Sequence, residues 1–498
     1  MALQEISNSD PPLHVLSPLD HSIPKMYFTF FVSFSLQQPA TGLESLRHGI
    51  KKLVDTIPFV AYDVVPCHDK LHENVHCIQP PSDATLSGPM LSVRDHSPAS
   101  VTVLGDTATC TGDEEAKFAE KYASLPTILN STQSKPALRF VANMMADGII
   151  LAVGFNHLVF DGTGVGNILG ILSQCCRGAQ NLTGLHELDL KLRQQLCLDG
   201  LAGRDAWKDF SASYSTESPF TCPPPGQWRT PKASPLIESF RFTVKYRKIR
   251  QLKTICSAIL TNTSHTRDEM DASPPAYVSS HDVLTSILAV CLRQSQPSTF
   301  QKPDYRISFA ANLRSRMSPR WPELYLGNML AMLHVPDSCL ADRTDKHRAI
   351  IAAHHIGMCS DDLIKITDTA AAIRHEIVSL TDSHIRGLID HLRLQIDWGG
   401  MNIKGGDFSV TSLRHLKVYG FDFGGDLGAV ADFRLHVGLL EGLLCVVLPR
   451  GRDGDWDIQF MLEKEQFHVL CKHRLFRWLM GERDGLGYCA SPLHGTMD

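Results

Sequence analysis

Runs of apolar residues with short polar breaks predict strands in the first third of the chain. Residues 137–145 and 149–155 are almost wholly apolar and are joined through Asp147-Gly148, a dipeptide typical of hairpin turns. Residues 26–36 are rich in aromatic side chains and β-formers, which predicts another strand. We therefore expect an antiparallel hairpin at the centre of an N-terminal sheet.

A different spacing, with apolar residues three and four positions apart, predicts helices. Residues 41–44 fit a capping box, the helical spacing continues to Val54, and Ile57-Pro58 ends the helix. A second helix is expected after Asp161. Its apolar face is formed by Val165, Ile168, Leu169 and Leu172.

The regular spacing of apolar residues fades between residues 178 and 236. Within this stretch the proline-rich segment 222–226 cannot continue a helix or a central strand. We interpret residues 186–236 as a crossover linker between an N-terminal domain, 1–185, and a C-terminal domain, 237–498. The second domain begins with a strand at 239–245 and a capped helix starting at Ser280-His281-Asp282. Further strands are expected at 306–311, 408–411, 417–421, 435–437, 443–448 and 458–462, and helices at 361–393 and 463–472.

Bulk composition narrows the class of protein. A chain of 498 residues is too long for one ordinary core, and 43% hydrophobic with 20% charged residues is typical of a soluble globular protein. The net charge of −5 gives no reason to expect nucleic acid as a partner. No apolar run approaches the ~18 residues that span a bilayer, and the first residues lack a signal-peptide pattern. The 14 cysteines are scattered without Cys-x-x-Cys, which indicates reduced thiols in the cytoplasm rather than a zinc site.

The strongest candidate for chemistry is His157, four residues before Asp161. Among 23 histidines about one chance His-x-x-x-Asp is expected, and His494 with Asp498 provides another match at the C-terminus. A lone buried histidine more often has a structural role. Here, however, the histidine follows two apolar runs and precedes a glycine-rich turn, so the context favours a general base at a strand end.

Three other kinds of site are disfavoured by spacing. Gly162–Gly166 lies between a strand and a helix, but its glycines do not fit the dinucleotide-binding pattern. His354-His355 lacks the Glu-x-x-His partner of a metal site, and there is no Gly-x-Ser-x-Gly elbow of an α/β-hydrolase.

Several motifs in order resemble those of the BAHD-type acyl-CoA-dependent acyltransferases. His157–Gly162 resembles the catalytic motif, which is also found in condensation domains and in carnitine and chloramphenicol acyltransferases. The other matching segments are Leu16–Asp20, 43–59, 279–292, 312–316, Tyr325–Asn328, 410–413 and Asp422–Gly424. The chain departs from the family at Leu413, Gly425 and Asp426, and Asn156 replaces the first histidine of condensation domains. This last change favours a free acyl-CoA donor. The altered C-terminal motif and the long irregular insertions resemble those of fungal secondary-metabolite or toxin acetyltransferases.

The resemblance implies an α/β fold with mixed sheets: two similar chloramphenicol-acetyltransferase-like domains with a channel between them. It implies that His157 is the base and that Asp161 is structural, paired with an arginine in the segment of Arg314 and Arg316. A simple N-cap role for Asp161 is an equal and compatible alternative. Further site residues are assigned to CoA or oxyanion contacts and to a remote structural motif. The contact residues are Gly162, Ser280, Thr411 and Ser412, and the structural motif is Asp422, Phe423 and Gly424.

We therefore predict an O-acyltransferase that moves an acyl group, most simply acetyl, from acyl-CoA to a hydroxyl of a small secondary metabolite. No covalent intermediate, metal or permanently bound cofactor is expected. The partners are acyl-CoA and the acceptor, without nucleic acid or membrane, and the protein is expected to be a cytoplasmic monomer. An amine acceptor and a non-catalytic binding protein of the same family are the alternatives.

Overall fold

The computed structural model describes residues 14–81, 88–104, 109–110, 112–126, 135–179, 182–198, 214–215, 237–264, 277–296, 305–336, 357–437 and 443–481. The strands of these segments are β1 His14–Val15, β2 Tyr27–Ser35, β3 Asp63–Pro66, β4 His76–Gln79, β5 Leu91–Asp95, β6 Thr109–Cys110, β7 Leu138–Met145, β8 Gly148–Asn156, β9 Tyr214–Ser215, β10 Ile237–Val244, β11 Arg306–Asn312, β12 Leu330–Pro336, β13 Asn402–Ile403, β14 Phe408–Ser412, β15 Asp432–His436, β16 Leu443–Val447 and β17 Trp456–Glu463. The helices are α1 Pro18–His21, α2 Pro39–Thr56, α3 Gly112–Tyr122, α4 Gly162–Cys176, α5 Leu185–Cys197, α6 Tyr246–Ser264, α7 Ser280–Ser295, α8 Ser360–Ser379, α9 Asp382–Arg393, α10 Lys464–Lys472 and α11 Arg474–Met480.

The first sheet has the strand order β15-β2-β8-β7-β5 and carries the catalytic candidate at the end of β8. β7 and β8 form the predicted antiparallel hairpin, and β2 pairs with the full length of β8. Every residue of β8 is buried, because helices cover both faces of the sheet. α2 and α4 pack on one face, while Tyr122 of α3 packs on the other beside Phe31.

The second sheet has the order β12-β11-β14-β16-β17-β10-β6. One face of this sheet packs against α6, α7 and α8 to form the larger core, which includes Phe309, Leu333 and Phe460. Two smaller sheets, β1-β4-β3 and β13-β9, complete the described strands. Mixed pairing within the second sheet, with β11-β14-β16 parallel and the rest antiparallel, agrees with the predicted α/β fold.

The two halves of the chain exchange strands. β15, from the second half, pairs with β2 at the edge of the first sheet, from Asp432 opposite Ser33 to His436 opposite Thr29. β6, from the first half, pairs with β10 at the edge of the second sheet. The sequence boundaries 1–185 and 237–498 therefore do not coincide with the membership of the two sheets.

The structure corrects three local predictions. The helix α2 begins at Pro39 with Gln38 as its N-cap, so Thr41 lies inside the helix and the predicted capping box is wrong. The expected strand at 417–421 is a single helical turn, because Val418 and Phe421 reach the core from a turn and Phe421 packs over Gly170. The segment after 178 is not irregular throughout, since it contains α5. The predictions for 222–226, His354-His355 and His494 lie outside the described residues.

Candidate active site

His157 follows β8 in a loop whose backbone is tied to the start of β2. Its backbone N–H donates to the carbonyl of Met26 at 3.0 Å, and its ring packs edge-on against Phe28 with centroids 4.6 Å apart. The ring Nδ1 lies 2.9 Å from the carbonyl oxygen of Phe160. A carbonyl can only accept, so this contact assigns the hydrogen to Nδ1 and leaves the lone pair on Nε2.

The second ring nitrogen of His157 is left available for chemistry. Among the described residues Nε2 has no hydrogen-bond partner, and the side chain is partly exposed. Burial lowers the pKa of His157 below its ordinary value of 6.5, despite opposing effects from the Phe160 carbonyl and Asp161. At neutral pH the ring is therefore uncharged, with Nε2 able to accept a proton.

Asp161 uses its carboxylate to hold the loop together. It is the N-cap of α4, accepting from the N–H of Gly164 at 2.7 Å, and it also accepts from the N–H of Met329 at 3.0 Å. The guanidinium of Arg314 binds both oxygens, at 2.8 and 3.0 Å. Burial alone would raise the pKa of the Asp161 carboxyl, but Arg314 and these N–H donors hold it below the usual value. The N-cap and the arginine pair, proposed as alternatives, are both present.

Arg314 connects the His157–Asp161 loop to the segment before β12. Its Nη2 also donates to the carbonyls of Tyr325 and Gly327, at 3.1 and 2.7 Å. Arg316 points elsewhere and donates to the carbonyl of Ile377 on α8 at 2.7 Å. The arginine predicted to pair with Asp161 from this segment is therefore Arg314.

A second buried ion cluster lies beneath the loop and was missed from sequence. Arg193 of α5, with a fully buried side chain, donates to Asp189 at 2.7 Å and to Asp20 at 3.0 Å. Its remaining Nη2 donates to the carbonyl of Val159 at 3.0 Å, inside the His157–Asp161 loop. The four-residue spacing of Asp189 and Arg193 fits a helical ion pair, the sequence signal that could have revealed it.

Asn328 joins this buried cluster and also holds the His157–Asp161 loop. Its Nδ2 donates to the carbonyl of His157 at 2.9 Å and to Asp20 at 2.8 Å, and its backbone N–H also donates to Asp20, at 2.9 Å. The carbonyls of His157 and Val159 are thus both held by buried polar side chains. Asp20 and Asn328 lie within two of the segments that match the family, but the sequence analysis does not include either among the predicted site residues.

The glycines after Asp161 serve close packing between the halves. A Cβ on Gly164 would lie 2.0 Å from the backbone oxygen of Leu326, and Cβ atoms on Gly162 and Gly166 would each lie 2.5 Å from a leucine side chain of the segment after β14. Only glycine permits this approach. Helix packing therefore accounts for the glycine-rich turn that resembled a nucleotide loop.

The other predicted contact residues lie on the second half. Thr411 and Ser412 end β14 and are partly exposed, and the next residue, Leu413, packs over Gly162. This packing brings the end of β14 next to the His157–Asp161 loop. Ser280 is the first residue of α7, whose N-cap is Ser279, and no hydrogen bond of the described residues links Ser280 to the loop.

The segment Asp422–Gly424 joins the two halves of the chain. Phe423 is buried against Phe34 of β2, with ring centroids 4.9 Å apart, and Gly424 has a φ of +98° that favours glycine. Asp422 is exposed, and its side chain accepts from the N–H of Gly424 at 3.0 Å. Asp426, one of the departures from the family pattern, instead accepts from Ser45 of α2 at 2.7 Å.

Within the described segments no group of three or more His, Cys, Asp or Glu side chains could hold a metal ion. In the same segments no helix is both long and apolar enough to cross a bilayer.

The sequence is similar to a known family and to several fungal enzymes. A family profile described as "Transferase family" matches residues 99–475. The fumigaclavine B O-acetyltransferase of Aspergillus fumigatus is 32% identical over 93% of this chain and 97% of its own length. An O-acetyltransferase of Emericella variicolor is 31% identical over 94% and 98%. The communesin N16 acyltransferase of Penicillium expansum is 29% identical over 94% and 96%.

Solved structures share the fold at low sequence identity. TRI101 of F. graminearum, crystallised with Coenzyme A and deoxynivalenol, has a TM-score of 0.69 and 16% identity, covering 94% of this chain and 98% of that one. Vinorine synthase has a TM-score of 0.56 and 16% identity, covering 93% of each chain.

Proposed function

Because the chain belongs to the Transferase family, we propose that His157 is the general base of an acyl transfer from acyl-CoA to a small alcohol. The sequence-based prediction of a BAHD-type acyl-CoA-dependent O-acyltransferase with mixed α/β architecture is confirmed, as is acyl-CoA as its co-substrate. The named relatives support acetyl as the acyl group and a fungal secondary metabolite as the acceptor. Most of them are O-acetyltransferases, which disfavours the amine alternative.

One observation carries the assignment of His157. The contact between Nδ1 and the Phe160 carbonyl fixes the tautomer and orientation of the ring, and Nε2 remains unprotonated and partly accessible. The Asn328 and Arg193 bonds to the loop carbonyls hold this geometry in place. A general base needs these properties: a free lone pair, a fixed direction and a pKa below neutrality.

In the proposed reaction the His157 ring first accepts a proton and later donates it. Nε2 of His157 accepts the proton of the acceptor hydroxyl as its oxygen attacks the thioester carbonyl, forming a tetrahedral oxyanion. The Thr411 hydroxyl donates to this oxyanion, which is supported by its position beside the catalytic loop. The C–S bond then breaks, the acyl ester is formed, and the CoA thiolate takes up the proton from the imidazolium.

Roles for the remaining predicted residues follow from their places. Asp161 and Arg314 position the loop, and Phe423 holds the halves together. We retain Gly162, Ser280 and Ser412 as proposed contacts of the CoA arm. The two serines are supported by their partly exposed positions on the second half, and Gly162 by its place beside the His157–Asp161 loop.

A thiol-release assay tests the proposed base. With acetyl-CoA and a panel of alcohols, we expect His157→Ala to lower kcat by about 10²–10⁴-fold, the usual contribution of general-base catalysis. His48→Ala, which removes an exposed histidine of α2, is the matched control and should behave as wild type. Near-wild-type turnover by His157→Ala would exclude the assignment. A parallel assay with amine acceptors in place of the alcohols tests for N-acylation. If wild type binds CoA but releases no thiol with any acceptor, a non-catalytic binding protein would be favoured.

We further propose that the protein is a cytoplasmic monomer. Each sheet takes an edge strand from the other half, so this pairing is satisfied within one chain. The cysteines of the described segments are free, which fits a reducing compartment. Light scattering of the purified protein and fractionation of the native cell measure these two properties.

A further inference from the structure

The turn after β14 docks on the start of α4, where the two halves of the chain meet. Leu413 and Leu416 of this turn are buried, and they pack over Gly162 and Gly166, where an added Cβ would lie 2.5 Å from a leucine side chain. Contacts between apolar side chains are not directional. The two leucines therefore stabilise the contact, but they constrain the orientation of the turn less than a hydrogen bond would.

Between the two leucines, His415 makes a directional contact with the same helix. Its Nε2 lies 2.8 Å from the hydroxyl oxygen of Thr163, the second residue of α4. The side-chain amide of Asn312, at the end of β11, donates to the same oxygen at 3.3 Å. The side-chain oxygen of Asn312 in turn accepts from the backbone N–H of Arg314 at 3.0 Å. His415 thus belongs to the hydrogen-bonded network that contains the ion pair of Arg314 with Asp161.

The Thr163 hydroxyl can bond both of its neighbours at once. Its oxygen accepts from Asn312, and its own hydrogen can be donated to Nε2 of His415. His415 and Asn312 are exposed, and Thr163 is partly exposed. The bridge therefore lies outside the buried core, and a substitution that removes it leaves the packing of that core in place.

The bridge joins the two groups that the proposed reaction must hold together. On one side, Thr163 lies two residues after Asp161, the N-cap of α4 and the last residue of the His157–Asp161 loop. On the other side, His415 lies four residues after Thr411, the proposed donor to the oxyanion, in the turn that directly follows β14. The base and the oxyanion donor are therefore each connected to the bridge by a short segment of chain.

We propose that His415 is a positioning residue, whose hydrogen bond to Thr163 holds the Thr411 hydroxyl at its working distance from the base during acyl transfer. This inference rests on the proposed function and adds a residue on which its rate depends. A misplacement of about 1 Å in a catalytic group can cost about 100-fold in rate. Because the leucine contacts and the ion pair remain when this one bond is removed, we expect a smaller loss, of about three- to tenfold in kcat.

His415→Phe and Thr163→Val each remove the bond while nearly preserving side-chain size. With acetyl-CoA and the best alcohol of the panel, each should lower kcat and kcat/KM equally in the thiol-release assay, by about three- to tenfold. The double variant should be no slower than the slower single variant, because both substitutions remove the same bond. His415→Gln and Thr163→Ser can form the bond again and should recover part of the rate. His468→Phe, at an exposed histidine of α10 that contacts the carbonyl of Lys464, is the control and should behave as wild type.

Thr411→Val distinguishes positioning from a general structural role. If His415 acts through the Thr411 hydroxyl, His415→Phe should cause little further loss of kcat in a Thr411→Val background. The melting temperature of His415→Phe should stay close to that of wild type, because the side chain is exposed.

The possible outcomes separate this inference from the proposed function. An unchanged kcat in His415→Phe, losses that multiply in the double variant with Thr163→Val, or the full loss persisting in Thr411→Val would overturn the role of His415. A lower melting temperature with wild-type kcat per folded molecule would show a structural contact and also refute the proposal. Absence of thiol release by wild type with every alcohol would instead overturn the proposed function, and the role of His415 with it.

Discussion

The buried pair of Asp161 and Arg314 allows a sharp separation of structural from catalytic roles. We consider Asp161→Asn, which preserves side-chain shape and an oxygen that can still cap α4. The substitution removes the negative charge from a carboxylate that binds both Arg314 nitrogens, at 2.8 and 3.0 Å. Arg314 would remain buried with its positive charge uncompensated, although its bonds to two backbone carbonyls persist.

The expected loss of stability is large. Breaking a buried ion pair by removing one partner costs about 3–5 kcal/mol, against a typical total of about 5–15 kcal/mol for a folded protein. The double variant Asp161→Asn with Arg314→Met removes the stranded charge and should recover part of this loss. Because the folded-state pKa of Asp161 lies below its ordinary value of 3.8, the pair contributes fully at neutral pH and is lost only as pH falls through the lowered pKa.

Urea unfolding followed by tryptophan fluorescence measures the stability, and thiol release at low temperature measures the activity of the folded fraction. We expect Asp161→Asn to unfold at much lower urea than wild type, with kcat per folded molecule reduced far less than by His157→Ala. A variant of wild-type stability that has lost turnover would refute the structural role. A destabilised double variant, no better than the single one, would refute the charge argument.

Two further predictions concern the same region. The pH profile of kcat/KM should have its acidic limb below pH 6.5, because burial lowers the pKa of His157 and only the neutral ring can accept the proton; a limb above pH 7 would contradict the assigned environment. Gly164→Ala places a Cβ 2.0 Å from the Leu326 backbone oxygen, so it should destabilise the protein by about 1–3 kcal/mol or more in thermal or urea unfolding. Gly425→Ala, where a Cβ meets nothing within 4 Å, is the control, and equal stability of the two variants would exclude the packing argument.

Local patterns were sufficient to predict the hairpin that carries His157. The apolar runs of β7 and β8 are bounded by a turn dipeptide, and their pairing involves neighbours in sequence. The pair of Asp161 with Arg314 spans 153 positions and was accessible only through family resemblance. Motif order thus supplied long-range information that hydrophobic periodicity does not contain.

The buried ion cluster of Arg193, Asp189 and Asp20 beneath the His157–Asp161 loop could not be predicted from motif order. Arg193 and Asp189 are charged residues that point inward, so α5 lacks the clear polar face by which a surface helix is recognised. Their partners come from residues near position 20 and from the segment before β12, far apart in sequence.

The exchange of β6 and β15 has a consequence for engineering and evolution. A fragment ending before β10 would leave β2 without its neighbour and open to edge-to-edge aggregation, while the complementary fragment would lack the strand that borders β10. Swapping one half between relatives would therefore also mix the strands within each sheet.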